Sequence, residues 1–486
     1  MTILGPIGHI QPFSVEEIEQ MHHAALCVLH ELGLEVANAQ ALGALEAAGV
    51  RVVGGRAHFE PGFVEQQLAS ITHSALSCKH TWVGQPKHAP SDRLTLGIGD
   101  MCQYYHSPFN DEIELMSTAD AIEATKCVET MRDVGIGSYV PGVPRDVPQQ
   151  LQAIVEYRIG SEYLTGHPTL DTLHPPEALP YLLEMAEAMG RPLETAGIFT
   201  VSPLRLAGYE FDIAIQHAPR WKRFWVTSYP AVGASAPVRM RAAWVLSIAE
   251  ALGGAVTLHV TSGHKPVHIN IGMFPFDLRS LSIAGGMPEC AWMYWCSAQV
   301  NRYYDPGAGY SMMLGTQAKR PGLQSGYEKA MMGAFGVLTG CDDLHYAGVM
   351  SFDDIFSPEQ MVADCELRDA LERLRRNIPP EDPDCWLDEI RQGLKGGYVP
   401  ADATLDHYRE TYWFPRLLDR STWHSFQRGG VKTARERARD EIIARLANYS
   451  FRPPATIERV RAIFEEAWRQ LGGDEGAPFL KLMYNG

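Results

Sequence analysis

The chain has 486 residues, of which 45% are hydrophobic, and it carries a formal net charge of −16. This length allows a large core, either as two average domains or as one large α/β barrel with additions. The acidic balance argues against a nucleic-acid partner, because phosphate binding needs a basic face. No basic run lies at either end and no window approaches ~18 uninterrupted apolar residues, so we expect no membrane partner.

Nine cysteines are scattered along the chain without a CxxC pattern. The first residues, MTILGPIGHIQPF, show no charged segment followed by an apolar stretch. Both features favour reduced thiols and a cytoplasmic location.

Residues 1–95 predict a helical N-terminal appendage with small strands. Ser14-Val-Glu-Glu17 has the pattern of a capping box, in which the hydroxyl and Glu17 each satisfy a free backbone N–H. The helix that it opens is expected to end near Leu32, because Gly33 is a stop signal.

Residues 96–379 alternate short apolar runs with amphipathic stretches, and this alternation predicts an α/β fold. A helix is expected after each run, which favours a (β/α)₈ TIM barrel over an open doubly wound sheet. A competing count makes AVTLHV (255–260) a strand instead of a helix end. The strand candidates are MCQYYH (101–106), IGSYV (136–140), EYLTG (162–166), GIFTV (197–201), RFWVTS (223–228), PVHINIG (266–272), GYSMML (309–314) and DLHYAGV (343–349).

Residues 380–486 read as a C-terminal helical extension. The stretch DHYRETYWFPRLLDRSTWHSFQRGG is aromatic and charged, and it precedes the helical TARERARDEIIARLAN. We expect this extension to pack against the barrel or against a second subunit, so a homodimer is possible.

The segment from Asp343 to Gly348 spells DxHxxG, the signature of a cobalamin-binding Rossmann domain. Such a domain also needs a later Ser-x-Leu, and none follows Gly348. We therefore reject a cobalamin tail site. His345 has two interpretations: a histidine hydrogen-bonded inside the barrel, or a group at the carboxyl end of the last strand, where barrel enzymes assemble their chemistry.

The loop from Gly315 is polar and leads into a helix start, where free N–H groups favour an anion. Gln324, Tyr327 and Glu328 are the candidate functional residues here, and the alternative is an ordinary loop-to-helix joint.

Aromatic residues recur where strand ends are expected. Aromatic faces attract a quaternary ammonium, each by about 2 kcal/mol or more when desolvated, so these residues predict a cation cage unless they serve barrel packing. They are Tyr104, Tyr105, Tyr229, Phe274 and Phe352, together with Tyr310, which lies within the seventh candidate strand.

We predict no bound metal. His22 and His23 have no third ligand nearby in sequence, and the set His259, His264 and His268 lacks the cysteine or paired carboxylates of a zinc site. No GxSxG, P-loop or GxGxxG context occurs.

Several pieces of the chain, in order, resemble segments of the trimethylamine methyltransferase family. They are VSPL (201–204), PAVGASAPV (230–238), EALGG (250–254), AK (318–319) with QSGYEK (324–329), SPEQM (357–361) with DCE (364–366), and WFPRLLDR (413–420). The resemblance implies a (β/α)₈ barrel that passes a methyl group from an amine to the Co(I) of a separate corrinoid protein. It also implies that no cofactor is permanently bound, since the acceptor is cob(I)alamin on the partner.

The trimethylamine enzymes of this family carry pyrrolysine in the loop before the QSGYEK-like segment, where this chain has Gly322-Leu323-Gln324. The resemblance therefore implies a small quaternary amine such as glycine betaine as the substrate. A quaternary nitrogen leaves as a neutral tertiary amine, so the enzyme needs orientation and exclusion of water more than acid–base catalysis. The chain departs from the family pattern at Gly322 and in the loop 107–112.

On this interpretation His345 orients the substrate or the corrinoid, and Gln324 lines the site. Arg205 or Lys319 is the candidate partner for a substrate carboxylate. Two alternatives stay open: a barrel enzyme of another class, such as a lyase or demethylating enzyme without a corrinoid acceptor, and a non-catalytic betaine-binding or assembly subunit.

Overall fold

The computed structural model describes residues 12–71, 94–137, 139–165, 175–376 and 382–472. Within them the fold is mixed α/β, with more residues in helices than in strands, which confirms the predicted class. The helices are α1 (Val15–Glu31), α2 (Ala39–Ala47), α3 (Pro61–Ser70), α4 (Thr118–Thr130), α5 (Gln149–Tyr163), α6 (Leu179–Ala188), α7 (Tyr209–Gln216), α8 (Met240–Thr261), α9 (Pro288–Tyr304), α10 (Leu323–Leu338), α11 (Pro358–Arg375), α12 (Pro383–Gly396), α13 (Asp402–Thr411), α14 (Trp423–Gly429), α15 (Ala434–Ala447) and α16 (Ile457–Leu471).

The strands are short, and many belong to small accessory sheets. They are β1 (Leu34–Val36), β2 (Arg51–Val53), β3 (Arg56–His58), β4 (Thr95–Ile98), β5 (Tyr104–His106), β6 (Ile113–Leu115), β7 (Thr195–Phe199), β8 (Arg205–Leu206), β9 (Arg223–Ser228), β10 (Ala231–Val232), β11 (Val267–Ile271), β12 (Phe274–Asp277), β13 (Ser282–Ile283), β14 (Ser311–Met313), β15 (Asp343–Ala347), β16 (Val349–Met350) and β17 (Ile355–Phe356).

Two parallel three-stranded sheets form the centre of the fold. In one, β9 lies between β7 and β11, and in the other, β15 lies between β14 and β4. Leu344 of β15 is opposite Leu96 of β4, and an isolated parallel bridge joins Leu96 to Ile136. The strand that begins the βα series therefore pairs with the strand that ends it.

Apolar side chains form two large buried clusters, one around each parallel sheet. The first joins β4, β14 and β15 to α4, α5, α11, α15 and α16, and the second joins β7, β9 and β11 to α1 and α8. Parallel strands covered by helices are buried on both faces, which explains their nearly continuous apolar sequences. The N-terminal helix α1 thus belongs to the second cluster, and the C-terminal helices α15 and α16 belong to the first.

The N-terminal segment follows its prediction closely. Ser14 and Glu17 form the expected capping box: the Ser14 hydroxyl accepts from Glu17 N at 3.1 Å, and the Glu17 carboxylate accepts from Ser14 N at 2.9 Å. Helix α1 ends at Glu31, one residue before the expected end. A sheet in the order β2–β3–β1–β8 then connects this segment to the chain at Arg205.

Helix α8 is the one helix among the described residues that is long and apolar enough to cross a membrane, by length and composition alone. In its most apolar stretch, 83% of the residues are buried inside the protein. It packs against α1, β9 and β11, so it serves as a core helix of this fold.

Several strand predictions were wrong. Residues 162 and 163 belong to the end of α5, and 255–260 lie inside α8, so the alternative strand there is wrong as well. The parallel sheet begins at β4, whereas Tyr104–His106 pairs with β6 and β17 in an accessory sheet. Ile136 makes only a bridge; Ser138 of the second candidate strand and Gly166 of the third lie outside the described residues.

A C-terminal arm, residues 382–430, is formed by α12, α13, α14 and their connections. Many of its large apolar side chains are exposed in the single chain, among them Leu394 at 80%, Val399 at 83% and Trp423 at 71%. The arm is anchored at Leu417, which is 4% exposed, and by Glu366 of α11, whose carboxylate accepts from the backbone N–H groups of residues 416–418.

Candidate functional site

Five aromatic rings and one imidazole lie close together near the carboxyl ends of the parallel strands. We call this group the aromatic cage. Phe274 is its centre, with ring centroids 5.1 Å from Tyr229, 5.3 Å from Phe352 and 6.2 Å from Tyr294. His345 lies 5.9 Å from Tyr294 and 5.2 Å from Tyr346, and Tyr346 lies 6.4 Å from Phe352.

Glycines allow two of these rings to reach their positions. A Cβ on Gly272 would overlap the Tyr229 ring, and a Cβ on Gly285 would lie 2.5 Å from the Phe352 ring. At Gly99 an added Cβ would meet the Val349 side chain at 2.8 Å, whereas the Tyr346 ring, 3.8 Å away, would be in ordinary contact. Only a residue without a side chain permits such close approach of a ring to the backbone.

The loop that follows β15 has an unusual backbone. Tyr346, Ser351 and Phe352 all have positive φ, at 73°, 53° and 67°. Such conformations are costly for residues other than glycine and persist only where surrounding contacts hold them. Here the Phe352 N–H donates to the Thr316 carbonyl at 2.7 Å, and the Ser351 N–H donates to the Ala318 carbonyl at 2.8 Å.

His345 is buried and oriented through the neighbouring strand. Its Nδ1 lies 2.8 Å from the Ser311 hydroxyl, which in turn donates to the Asp343 carboxylate. When Asp343 is ionised, that hydroxyl gives it its proton and accepts from Nδ1–H, so the neutral ring then carries no proton on Nε2. Burial lowers the pKa of His345 to about 3 and raises the pKa of Asp343 to about 7. His345 is therefore neutral near pH 7.

A buried ion pair holds the backbone beside the cage. Lys329 of α10 donates to Asp364 of α11 at 2.7 Å and to the Tyr346 carbonyl at 3.0 Å. Asp364 also accepts from the Gly348 N–H at 2.9 Å and from the Gln360 amide at 2.8 Å. The pair thus joins two helices to the end of β15, and burial lowers the pKa of Lys329 although Asp364 opposes the shift.

Electrostatic interactions connect three carboxyl side chains to this region: Asp353 and Asp100 act on Tyr346, and Asp100 acts on Glu156. Burial, reinforced by the charge of Asp354, raises the pKa of Asp353 to about 6. Burial, and then the charge of Asp100, raises the pKa of Glu156 well above its usual range. Burial also raises the pKa of the Tyr346 phenol, and the next contributions come from Asp353 and Asp100.

Of the residues predicted from sequence, the structure brings together Tyr229, Phe274, Phe352 and His345. Tyr105 is buried and donates to Glu123 at 2.8 Å on the accessory sheet. Tyr104 lies on the same strand, is 38% exposed, and pairs with Ile355 of β17.

Tyr310 lies at the amino end of β14, the opposite end from the cage. Its hydroxyl is 2.9 Å from the Thr339 hydroxyl at the end of α10. Arg205 pairs with Glu35 at 2.9 Å on the N-terminal sheet, and the Lys319 amine donates to the Gln317 carbonyl at 2.8 Å on the surface. These positions give no support to direct substrate contact by the three residues.

Gln324 and Glu328 lie on the first turns of α10, at the rim of the cage. The Gln324 amide donates to Glu328 Oε1 at 2.9 Å, and Glu328 Oε2 accepts from the Thr316 hydroxyl at 2.5 Å and from the Gln317 N–H at 2.8 Å. Glu328 therefore supports the same loop that holds Phe352 through the Thr316 carbonyl. Tyr327 is 69% exposed on this helix.

Sequence reasoning missed Tyr294, Tyr346 and the three carboxyl groups. Tyr294 is on helix α9 and has no strand-end signal. Tyr346 follows His345 directly, so strict strand alternation would put the two rings on opposite faces. Its positive φ, and the register shift between Leu344 and Ala347, bring both rings to one side.

Among the described residues no group of three His, Cys, Asp or Glu side chains is arranged to hold a metal ion. His259 and His264 are in ring contact at 4.8 Å, but His259 bonds to the Ser70 hydroxyl and the Lys265 carbonyl. His22 bonds to Tyr304 and Glu65. These histidines have structural partners.

The chain is similar over nearly its full length to proteins named as methyltransferases. It is 24% identical over 481 residues to trimethylamine methyltransferase MttB of Desulfitobacterium hafniense (strain DSM 10664 / DCB-2), covering 95% of this chain and 94% of that protein. It is 22% identical over 483 residues to glycine betaine methyltransferase of Desulfitobacterium hafniense (strain Y51), covering 95% and 97%.

Trimethylamine methyltransferase MttB of Methanosarcina thermophila is 25% identical over 272 residues, or 55% of each chain. Among solved structures, the monomethylamine methyltransferase (MtmB) of Methanosarcina barkeri superposes with a TM-score of 0.47 at 10% identity, over 93% of this chain and 87% of that one. The family model described as trimethylamine methyltransferase (MTTB) matches residues 1–131 and 182–464. The chain therefore belongs to the trimethylamine methyltransferase family.

Proposed function

We propose that this chain transfers a methyl group from a small quaternary amine to the Co(I) of a corrinoid carried by a separate protein. The observation that carries the proposal is the aromatic cage at the carboxyl ends of the parallel strands. A quaternary ammonium is bound well by several aromatic faces in a site that excludes water. The similarity to trimethylamine and glycine betaine methyltransferases supports the same reaction.

The chemistry fits a site without a strong acid or base. The methyl carbon forms a bond to cobalt as its bond to nitrogen breaks, and the nitrogen keeps the electron pair and leaves as a neutral tertiary amine. No proton moves in this step. A neutral His345 suits it, because an imidazolium among the rings would repel the ammonium; its role is to orient the substrate or the corrinoid.

The rings contribute mainly by positioning the methyl carbon. Tyr229, Phe274 and Phe352 meet at one point, and Tyr346 and Tyr294 extend the surface toward His345. Holding the reacting carbon in line with an incoming metal converts an encounter into an effectively intramolecular step. Gln324 and Glu328 would then shape the rim on which the corrinoid sits.

For the fold, we propose that the two parallel sheets are parts of one closed (β/α)₈ barrel, with residues 1–95 and 380–486 as extensions. The pairing of β4 with β15 and the bridge from Leu96 to Ile136 support closure. The cage would then lie at the end of the barrel where such enzymes place their active sites. A cytoplasmic location agrees with the unpaired cysteines of the described residues and with an acceptor in the Co(I) state, which needs a reducing environment.

The corrinoid partner is expected to dock on an apolar rim beside the cage. Exposed residues here include Leu323 at 92%, Tyr327 at 69%, and Met287 at 43%, next to the contact between Gly286 and Glu328. Replacing Leu323 with Asp should slow methyl transfer to the protein-bound corrinoid and leave transfer to free cob(I)alamin unchanged. A Leu323→Asp variant that matches the wild-type rate with both acceptors would contradict this docking site.

We further propose that the arm (residues 382–430) pairs with a second copy of this chain. If each large apolar side chain of the arm offers ~200 Å² when free, the exposed fractions correspond to roughly 1,500 Å² of apolar surface. Monomers rarely expose patches above a few hundred Å², and a stable interface needs about 800 Å² from each partner. A self-complementary dimer would cover this surface.

Light scattering tests the dimer directly. The expected mass is twice 53.9 kDa at micromolar concentration. Leu387→Asp on the arm should shift the mass toward the monomer, whereas Leu338→Asp, an exposed site at the end of α10, should not. A folded wild-type monomer would overturn the proposal.

The reaction itself is tested by incubating the protein with quaternary amines and reduced cob(I)alamin and following the absorbance of methylcobalamin. We expect methylcobalamin to form at a rate that depends on the amine. His345→Ala should reduce this rate sharply while the protein stays folded. A folded wild-type protein that transfers no methyl group from any quaternary amine would refute the proposed function.

A further inference from the structure

The tyrosines of the aromatic cage differ in what their hydroxyl groups bond to. The Tyr294 hydroxyl donates to the Met313 thioether at 3.4 Å, so its proton is used within the protein. The Tyr229 hydroxyl lies 2.9 Å from the side-chain amide of Asn270 on β11. Whether Asn270 or Tyr229 is the donor in this contact decides whether the Tyr229 proton is available to a ligand.

The orientation of the Asn270 amide follows from that of Asn301 on α9. The Ile271 N–H donates to Asn301 Oδ1 at 2.8 Å, and the Ile271 carbonyl accepts from Asn301 Nδ2 at 3.1 Å. Because a backbone N–H only donates and a carbonyl only accepts, these contacts fix both ends of the Asn301 amide. Asn301 Nδ2 also lies 3.3 Å from Asn270 Oδ1, so the oxygen of Asn270 faces this donor. The nitrogen of the Asn270 amide therefore faces Tyr229.

Tyr229 is consequently the acceptor in its contact with Asn270, since an amide nitrogen only donates. Within the part of the chain that the structure describes, no other group is hydrogen-bonded to the Tyr229 hydroxyl. Burial raises the pKa of the Tyr229 phenol, and the hydrogen bond from Asn270 offsets only part of this shift. The phenol is therefore protonated near pH 7, and its O–H remains available as a donor.

This donor lies at the inner edge of the aromatic cage. Asn270 is opposite Thr227 of β9 in the parallel sheet. Its neighbours Ile269 and Ile271 are buried in the core on the helix side, so strand alternation places Asn270 on the other face of the sheet. The Tyr229 ring itself contacts Phe274 at a centroid distance of 5.1 Å. One residue thus offers an aromatic face to an ammonium group and an O–H to an oxygen atom.

We infer that the Tyr229 hydroxyl donates a hydrogen bond to the substrate. The site therefore prefers a quaternary ammonium that also carries an acceptor oxygen, such as the oxygen of a carboxylate. Tyr229 is the specificity-determining residue, and Asn270 and Asn301 are positioning residues that act through its hydroxyl. The inference rests on the proposed function and deepens it, because it assigns a partner to the part of the substrate that the rings do not bind.

Tyr229→Phe tests the hydroxyl alone, because it keeps the ring and its attraction for a cation. The probes are glycine betaine, which has a carboxylate, and tetramethylammonium, which has no acceptor. Binding is measured by calorimetry, and methyl transfer by the formation of methylcobalamin from cob(I)alamin. The variant should raise the Kd and the KM for glycine betaine roughly 10- to 100-fold, as the loss of a hydrogen bond to a charged group implies. The values for tetramethylammonium should change by less than about 2-fold.

Tyr449→Phe is the matched control for this substitution. It removes a phenol hydroxyl that donates to the Tyr163 carbonyl at 3.0 Å, where the chain leaves α15 and contacts the end of α5. The values for both probes should stay at the wild-type level. A loss of glycine betaine binding in this variant equal to that in Tyr229→Phe would overturn the inference.

Asn270→Leu tests the positioning role. It should raise the KM for glycine betaine roughly 3- to 10-fold in the wild-type background and have little further effect in Tyr229→Phe, because it acts through the hydroxyl. The variant should fold, since Asn301 Nδ2 keeps the Ile271 carbonyl and the Ser297 hydroxyl as acceptors. Effects of the two substitutions that simply add would refute the positioning role.

The outcomes separate this inference from the proposed function. If Tyr229→Phe binds glycine betaine as the wild type does, or loses both probes equally, the inference is overturned, whether or not methyl groups are transferred. A wild type that binds neither probe, or binds tetramethylammonium more tightly than glycine betaine, overturns it as well. If glycine betaine binds through the hydroxyl but no methyl group reaches cobalt, the inference stands and the proposed function fails.

Discussion

The buried ion pair between Lys329 and Asp364 gives a quantitative test of the fold around the cage. Lys329→Met keeps the length of the side chain and removes its charge and its donors. The Asp364 carboxylate would stay 1% exposed without its cation, although Gly348 N and Gln360 still donate to it. Breaking a buried pair in this way costs about 3–5 kcal/mol of unfolding free energy.

The size of the chain determines how far this cost lowers the melting temperature. With ~2.1 cal/mol/K of unfolding entropy per residue, 486 residues give about 1 kcal/mol/K, so the melting temperature should fall by ~3–5 °C. Lys222→Met, which breaks an exposed pair with Glu194, is the matched control and should cost at most about 1 kcal/mol.

The double variant Lys329→Met with Asp364→Leu separates the pair from simple packing. Removing both charges should recover part of the loss, since no unpaired carboxylate stays buried, although the Gly348 N–H and the Gln360 amide lose their acceptor. The KM for the amine should also rise in Lys329→Met, because the Tyr346 carbonyl loses its donor and its ring lines the cage. If the melting temperature falls equally in Lys329→Met and Lys222→Met, the buried pair is no more important for stability than the exposed one, and the prediction is refuted.

Three further predictions follow from the site. His345 has a pKa near 3 in the folded protein and about 6.5 in the unfolded chain, so between these pH values only the unfolded chain binds this proton, and the free energy of unfolding falls by about 1.4 kcal/mol for each pH unit downward. His345→Gln should remove that part of the pH dependence. Melting temperatures of the wild type and the variant that change in parallel with pH would contradict it. Gly272→Ala should push the Tyr229 ring aside and raise the KM for the amine at least ~10-fold, whereas Gly43→Ala, where nothing lies within 4 Å, should leave it unchanged. Glu366→Gln should weaken the charge-assisted hydrogen bonds that anchor the arm and speed limited proteolysis within residues 382–430; an unchanged cleavage rate would mean that the arm is held in another way.

Sequence patterns predicted the type and the limits of those elements that have one exposed face. Helix α1 is bounded by a capping box and by Gly33, and its buried residues follow helical spacing, so its limits were predicted within a residue. The same approach failed for helix α5, because Leu151 and every residue from Ala153 to Tyr163 are buried. A helix buried on all sides has no amphipathic period, so its apolar run near Tyr163 was mistaken for a strand.

The site was predictable only where it follows the ends of strands. Tyr229, Phe274 and Phe352 each come after a strand of the predicted series, and parallel strands bring their carboxyl ends to one edge. Tyr294 reaches the same point from a helix, and Tyr346 reaches it through a left-handed backbone that breaks strand alternation. Neither position has a sequence signal that fixes its direction in space.

The segments that resemble the family mostly make structural contacts with one another. The Glu250 carboxylate accepts from the hydroxyls of Ser202 and Ser228, each at 2.7 Å, and from Leu204 N at 2.9 Å, so the VSPL and EALGG segments form one structural unit. In the same way, Lys329 of QSGYEK joins Asp364 of DCE.

Such contacts hold the strand ends and loops in place whatever the substrate is, so the segments that reveal the family carry little information about which amine is bound. The groups that border the cage do carry it. All six members of the aromatic cage lie outside those segments: Tyr229, Phe274, Tyr294, His345, Tyr346 and Phe352. The family can therefore be recognised from the sequence, whereas the choice of amine has to be inferred from the side chains around the rings.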